Sequence, residues 1–267
     1  MRRTSVWLAA GLFAAPAMGG LITTHQDTDA SGATVDGSLG VDEYGTGNAY
    51  VYTGGGSGFG GPLGSGSLYL QADATNLYVG AQINGDLGSN IMAVFLDTRA
   101  GGFTSDATLG DTADGGRRVA SQLTRDVQDN LPIGADFVLE FGNGYTNVFE
   151  LVTGSLNYIA PSAAGTGGNG AAGFREASVA LSTLGLSAGQ SVDLFAVLIS
   201  DTGFASNEGI PSTGIANNPG FDNAANGGGA VTWPNNHRFT LIPEPASLGL
   251  AAAGGLMLVA RRRRGVK

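Results

Sequence analysis

Apolar side chains in this chain recur at every second position, in runs too short for an amphipathic helix. Leu77, Val79 and Ala81 alternate with Tyr78, Gly80 and Gln82, and Phe137, Leu139 and Phe141 alternate with Asp136, Val138 and Glu140. A period of two puts successive side chains on opposite faces of a pleated strand, one face packed and one wet. The same strand-forming character marks Val51-Tyr52, Ser67–Ala72, Leu77–Ile83, Ile91–Asp97, Asp136–Phe141, Asn147–Val152 and Leu156–Ile159. It resumes at Phe174–Leu181, Val192–Ser200 and His237–Ile242. No helical periodicity runs beyond about two turns, and Ser182–Leu186 has room for a single turn.

Turn chemistry separates these runs at Asn84-Gly85-Asp86, Asn143-Gly144 and Ala188-Gly189. The 46 glycines are dense in Gly54–Gly66, Gly165–Gly173 and the long segment Thr202–Thr232, which read as loops. They follow no three-residue period, which excludes collagen. An apolar content of 42% excludes wholesale disorder. Nine or ten strands of this kind predict an all-β protein: a single antiparallel β-sandwich, jelly-roll-like, with long glycine-rich loops, over residues 20–242. There is no cysteine, so disulfides, thiolate metal sites and cysteine nucleophiles are excluded.

The charge is unevenly spread. Residues 20–242 hold 6 basic and 21 acidic residues and no lysine, a formal charge of −15. That sign repels phosphate backbones and excludes nucleic acid as a partner; it attracts divalent cations and basic partners. Both ends are basic and apolar. Arg2 and Arg3, the apolar Val6–Ala14 and the small residues Ala15-Pro16-Ala17 or Ala17-Met18-Gly19 have the order of a secretory signal peptide over residues 1–19. At the other end Pro243, Glu244 and Pro245 precede the apolar Ala246–Ala260, followed by Arg261, Arg262, Arg263 and Arg264. Fifteen apolar or small residues make a short transmembrane helix, and the arginines keep its end cytoplasmic.

Residues 243–267 closely resemble the PEP-CTERM sorting signal, with all three parts in order. The resemblance implies recognition by an exosortase, transient anchoring in the inner membrane through residues 246–260, and delivery to the cell surface or extracellular matrix. A second resemblance spans most of Thr34–Ser200. Val35-Asp36-Gly37-Ser38-Leu39 leads to Asp42-Glu43-Tyr44, then to Leu68-Tyr69-Leu70, Asn76-Leu77-Tyr78-Val79 and Val94-Phe95-Leu96-Asp97. With Glu176–Leu186 and Val192–Ser200, this order is similar to carbohydrate-binding-module family 9-like, DOMON-related β-sandwiches. Tyr44 stands where that family usually has tryptophan. The body's single tryptophan, Trp233, does not supply the pair of aromatics that clamps a glycan in the sugar-binding members.

Several constellations carry possible chemistry. Asp106, Asp111 and Asp114 in a glycine-rich loop are candidate Ca²⁺ ligands, with Arg117, Arg118 and Arg125 near enough to neutralise them instead. Asp201, Glu208, Asn217, Asn218 and Asp222 form a second scatter of oxygen donors. Asp136, Glu140 and Glu150 fall on neighbouring strands, as paired glycosidase carboxylates would. Trp233, Tyr50, Tyr52, Tyr145 and Tyr158 could stack on sugars if they face outward. Gly185-Leu186-Ser187-Ala188-Gly189 fits a nucleophile elbow with His237 downstream, but an elbow needs a strand-to-helix turn over a parallel sheet. Gly56–Gly61 matches a dinucleotide fingerprint with no helix after it. The expected function is a non-enzymatic, exported structural or adhesive protein of the cell envelope. The alternative is a carbohydrate-binding module for exopolysaccharide or environmental glycans, and the third is an extracellular hydrolase. Calcium is the only cofactor in view.

Overall fold

The computed structural model describes residues 22–26, 32–45, 49–51, 61–64, 66–125, 127–166, 172–211 and 213–241. The leader expected at residues 1–19 and the sorting signal expected at residues 243–267, with Pro243, Glu244, Pro245 and Arg261 to Arg264, lie outside the described residues, as do Tyr52 and residues 54–60. No helix among the described residues is long and apolar enough to cross a membrane.

In chain order the strands are β1 (Ile22–Gln26), β2 (Ala49–Val51), β3 (Ser67–Ala72), β4 (Asn76–Ile83), β5 (Asn90–Asp97), β6 (Phe103–Ser105), β7 (Asn130–Ala135), β8 (Phe137–Phe141), β9 (Thr146–Glu150) and β10 (Asn157–Ile159). They continue with β11 (Ala163–Thr166), β12 (Gly173–Ala180), β13 (Ser191–Ser200), β14 (Ala205–Ile210) and β15 (Asn236–Thr240). Three short helices are interspersed: α1 (Gly115–Ser121), α2 (Leu181–Leu184) and α3 (Pro219–Asp222). An eight-stranded sheet runs β1-β15-β13-β5-β8-β9-β10, with β14 also on β13. A five-stranded sheet runs β11-β12-β4-β3-β2, and β6 with β7 forms a small ribbon. Pairing is antiparallel except between β1 and β15, which are parallel.

The two large sheets bury their facing sides against each other, as the sandwich expectation requires. Met92, Val94, Leu96, Leu139, Leu194 and Phe239 from the larger sheet meet Leu68, Leu70, Leu77, Val79, Ala177 and Val179 from the smaller one. The expectation of a wet outer face fails, however. On β5, β8 and β13 the residues pointing away from the sandwich, Ile91, Ala93, Phe95, Val138, Phe195, Val197 and Ile199, are buried in a second core. Its lid comes from the 103–135 and 201–233 stretches: Leu109, Val119, Leu123, Leu131, Ile133, Val231 and Trp233. Phe95 and Phe195 stack at its centre, 4.8 Å between ring centroids. The central strands are therefore apolar on both sides, a pattern that alternation of apolar with small or mixed residues disguises.

The same cover corrects the expectation that Thr202–Thr232 is loop throughout: β14 lies within it, buried along its whole length, followed by α3 and a 3₁₀ turn over Asn223–Asn226. Its sequence, ASNEGI, carries no alternation, and its burial comes from pairing with β13. Two local expectations hold. Ser182–Leu186 contains the single turn α2, closed by Gly185 at φ 71°, and Asn143-Gly144 turns the β8–β9 hairpin.

The outer face of the smaller sheet carries a third cluster, Tyr44, Tyr78 and Phe174. Gly80 on β4 makes room for it, since a Cβ there would lie 2.4 Å from the Phe174 ring. The segment bearing Tyr44 is fixed by Glu176 on β12. This buried carboxylate accepts the N–H groups of Asp36 and Gly37, each at 2.6 Å, and the Tyr44 hydroxyl at 2.9 Å. Glu176→Ala strands three donors, two of them buried, and we expect a loss of about 3 kcal/mol in urea unfolding, against about 1 kcal/mol for Tyr44→Phe. Wild-type stability in both variants would show that the 36–44 segment is not held by this carboxylate.

Candidate functional site

At one end of the central sheet, the start of β5, the β8–β9 turn, the end of β13 and the first residues of α1 enclose a cavity of 370 Å³. Register places these ends together: Ser200 pairs with Asn90, Met92 with Phe141, and Phe141 with Thr146. Asp201 closes the corner, its N–H donating to the Ser89 carbonyl at 3.1 Å. The fourth wall is α1. Asp114 caps it, its Oδ1 accepting the Arg117 N–H at 2.8 Å, so Asp114, Gly115 and Gly116 meet the cavity. Arg118 Nη1 ties this helix to β13 by donating to the Asp201 carbonyl at 2.6 Å.

Tyr145 forms the aromatic side. Its ring lies over Gly142, where a Cβ would come within 2.1 Å of the ring, so the sequence Gly142-Asn143-Gly144-Tyr145 supplies both the seat and the tight turn. The ring is 37% exposed. Asn90, Asn143 and Asn147 add planar amides to the lining, and Asp114 and Asp201 add carboxylates. Behind Gly116 and Asn147 sits Glu140, 0% exposed, its Oε2 only 2.6 Å from where a Gly116 Cβ would stand. Neither of its oxygens closes a full hydrogen bond. Burial drives its pKa well above the carboxylate range, and the nearby Asn147 amide only eases the rise.

The cavity thus gathers residues that the sequence presented in four separate groups: Asp114 from the calcium loop, Asp201 from the second scatter, Tyr145 from the aromatics and, just behind the wall, Glu140 from the strand carboxylates. Their former companions lie elsewhere. Asp106 accepts the N–H groups of Asp129 and Leu123, while Asp111 takes Arg117 Nη1 at 2.8 Å and the Leu156 N–H at 2.9 Å. No three carboxylate or imidazole groups among the described residues converge as a metal ligand set. Asp136 and Glu150 share Arg99, Asp136 Oδ1 at 3.3 Å and Glu150 Oε1 at 2.7 Å, and form an ion-pair network rather than a facing pair. Glu208 accepts the N–H groups of Gly61 and Leu63, and Asn218 caps α3.

Among the aromatics, Trp233 is 2% exposed, donates Nε1–H to Asp129 at 3.2 Å and stacks toward Phe195. Tyr50 is buried against His237, ring centroids 4.2 Å apart. Tyr158, 53% exposed on the edge strand β10, is the other outward-facing tyrosine of the group among the described residues. Ser187 sits on an exposed turn between α2 and β13, its N–H donating to Gln190 Oε1, whereas His237 is a buried residue of β15; no strand-to-helix elbow is present at Ser187. A larger concavity, 410 Å³, lies within the 32–43 loop, but that one loop forms all of it. The 370 Å³ cavity is framed by three strands of the central sheet and a capped helix, and it joins an aromatic ring to convergent polar groups, the signature of a binding site.

No protein-family profile matches the chain, and no curated protein matches its sequence. Among solved structures, a carbohydrate binding module family 9 from Caldicellulosiruptor kristjanssonii in complex with cellotriose superposes with a TM-score of 0.41 at 12% identity, covering 84% of this chain and 96% of that one. A family 9 module from the same organism in complex with glucose gives a TM-score of 0.41 at 13% identity, covering 84% and 97%. Superpositions of this size assign neither family nor ligand to this chain.

The carboxylates of the cover have a consequence for stability. Burial pushes Asp106 up to about 7, with the neighbouring Asp129 charge adding to the rise, and burial pushes Asp129 and Asp97 each up to about 6. All three lie above their unfolded values, so the folded chain holds protons that the unfolded chain has released. The resulting stability is full below about pH 4 and is lost as pH rises through about 6 to 7. Arg99 lowers Glu150, which acts in the opposite direction at the acid end. The melting temperature should therefore fall between pH 5 and pH 8, with a shallower fall in Asp106→Asn whatever that variant's absolute stability. A melting temperature that is flat or rises over this interval would contradict the assignment.

Proposed function

We propose that this chain is an exported, non-enzymatic carbohydrate-binding protein of the cell surface or extracellular matrix, and that the cavity at Tyr145 is its sugar site. The single observation carrying this reading is the half-exposed Tyr145 ring beside the convergent amides of Asn90, Asn143 and Asn147 and the carboxylates of Asp114 and Asp201. Sugars present apolar C–H faces and rings of hydroxyls; a tyrosine face takes the first, and planar amides and carboxylates take the second in pairs. The volume falls in the ~300–1,000 Å³ range of small-ligand sites. A hydrolase reading has less support, because the strand carboxylates that suggested it are divided between an ion-pair network at Arg99 and the buried Glu140.

Delivery to the surface rests on the two ends of the sequence. The leader at residues 1–19 directs export, and an exosortase acts at Pro243, Glu244 and Pro245, with residues 246–260 and the arginines holding the chain in the membrane until then. Replacing Pro243 and Glu244 with alanine should leave the C-terminal segment attached and the protein cell-associated; unchanged processing would refute the motif's role. A structural role in the matrix, with exopolysaccharide as the contact, follows from the same site rather than competing with it.

For the sugar site, affinity electrophoresis of the full-length protein in detergent against a panel of polysaccharides should show retardation by at least one glycan. Tyr145→Ala should weaken that binding by about tenfold or more, and Tyr158→Ala should leave it unchanged. Gly142→Ala should weaken it too, because the added Cβ displaces the Tyr145 ring without removing any polar group. Loss at Tyr158 instead of Tyr145 would move the site to the β10 edge.

A further inference from the structure

The cavity's lining fixes more than a general affinity for hydroxyls. Two carboxylates, Asp114 and Asp201, line it, and among the described residues no lysine, arginine or histidine does. Asp114 is largely exposed, its side chain at 58%. The neighbouring guanidinium groups are engaged partly with lining residues and partly outside the lining. Arg117 bonds Asp111 and the Leu156 carbonyl and reaches Asp114 Oδ2 at 3.3 Å, and Arg118 bonds the carbonyls of Asp201 and Thr112. A third carboxyl, Glu140, is fully buried directly behind Gly116 and Asn147 with neither oxygen in a full hydrogen bond. Tyr145 adds a π face, which attracts cations.

Among the described residues no third carboxylate or imidazole joins Asp114 and Asp201 as a metal ligand set, and the pair suits a cation that is large and carries its charge on one substituent. Resting on the carbohydrate reading above, we propose that the cavity selects amine-bearing sugars, glycans with free protonated 2-amino groups, over neutral and uronic-acid glycans. The ammonium lies between Asp114 and Asp201 against the Tyr145 face, and the amides of Asn90, Asn143 and Asn147 meet the ring hydroxyls. A carboxylated sugar is rejected by the same two aspartates, since like charges brought together in a partly desolvated cavity repel strongly.

The test titrates the full-length protein in detergent at pH 6 with three oligosaccharides of equal length: a glucosamine oligomer, its fully N-acetylated counterpart and a glucose oligomer. The glucosamine oligomer should bind about tenfold or more tightly than either of the others. Asp114→Asn with Asp201→Asn should bring its affinity to within about twofold of the glucose oligomer's, since asparagine keeps the cap on α1 and the hydroxyl contacts but removes the charge. A control with Asp42→Asn and Asp222→Asn, two acids away from the cavity, removes the same charge and should change nothing. Equal affinity for the three oligomers overturns the amine preference and leaves the carbohydrate site standing. Equal weakening by the control overturns it as well, by showing attraction to overall negative charge. Binding of none of the three, or of any glycan, removes both the preference and the carbohydrate reading.

Discussion

Both faces of the central sheet must be covered, and most of the molecule's other features follow from how that is done. Phe95 and Phe195 stack on the side away from the sandwich, where water would otherwise meet Ile91, Val197 and Ile199 as well. Apart from the β6–β7 ribbon and β14, the cover is irregular chain, and many of its backbone N–H groups have no ladder to enter. Carboxylates replace the ladder. Asp129 accepts the Val231 N–H, the Thr124 hydroxyl and the Trp233 ring N–H; Asp106 accepts the Asp129 and Leu123 N–H groups; Asp136 accepts those of Thr98 and Arg99. One carboxylate can take several donors, which a carbonyl or hydroxyl in the same place does less well.

This use of acid changes the meaning of the charge. A body of formal −15 suggests attraction to cations at large, but many of its carboxylates are internal acceptors. Glu176 and Glu208 do for the 36–44 and 61–63 segments what Asp106 and Asp129 do for the outer cover. Asp111 is similarly taken, by Arg117 and Leu156. Asp114 and Asp201 meet in one cavity, and although Asp114 also caps α1 and pairs with Arg117, its side chain stays 58% exposed.

Much of the frame was legible in the sequence, and the reasons are specific. The runs at 67–72, 77–83, 91–97, 174–181 and 192–200 became β3, β4, β5, β12 and β13 with end shifts of a residue or so, because each carries β-branched or aromatic residues between turn signals. The cover was not legible. β7 alternates Leu131, Ile133 and Ala135, but Pro132 and Gly134 between them are breakers that mask it as a strand, and β14, with Asn207, Glu208 and Gly209, has no apolar period at all. Their burial depends on partners far along the chain. The site was legible only as fragments: Asp114, Asp201 and Tyr145 belonged to different plausible groups, Asn90 and Asn147 to none, and antiparallel register alone decides that residues 90, 143, 147 and 201 share one end of a sheet.

The cavity's position also sets how a ligand would act on the protein. Its walls at the start of β5, the β8–β9 turn, β9 and the end of β13 belong to the most heavily paired part of the fold, whereas the α1 wall belongs to the cover. A ligand bridging Tyr145 or Asn147 to Asp114 would therefore tie the cover to the central sheet at a point where Arg118 and the Asp114 cap otherwise supply the link. Binding to the folded state alone stabilises it in proportion to ligand concentration, and at this site the gain would appear first in the least regular layer. Glu140 is placed at the same junction, buried on a sheet strand and touching the helix through Gly116. A side chain at position 116 would separate helix from sheet and close the approach to that carboxyl, so a glycine there is what allows structural cover and binding wall to be one element.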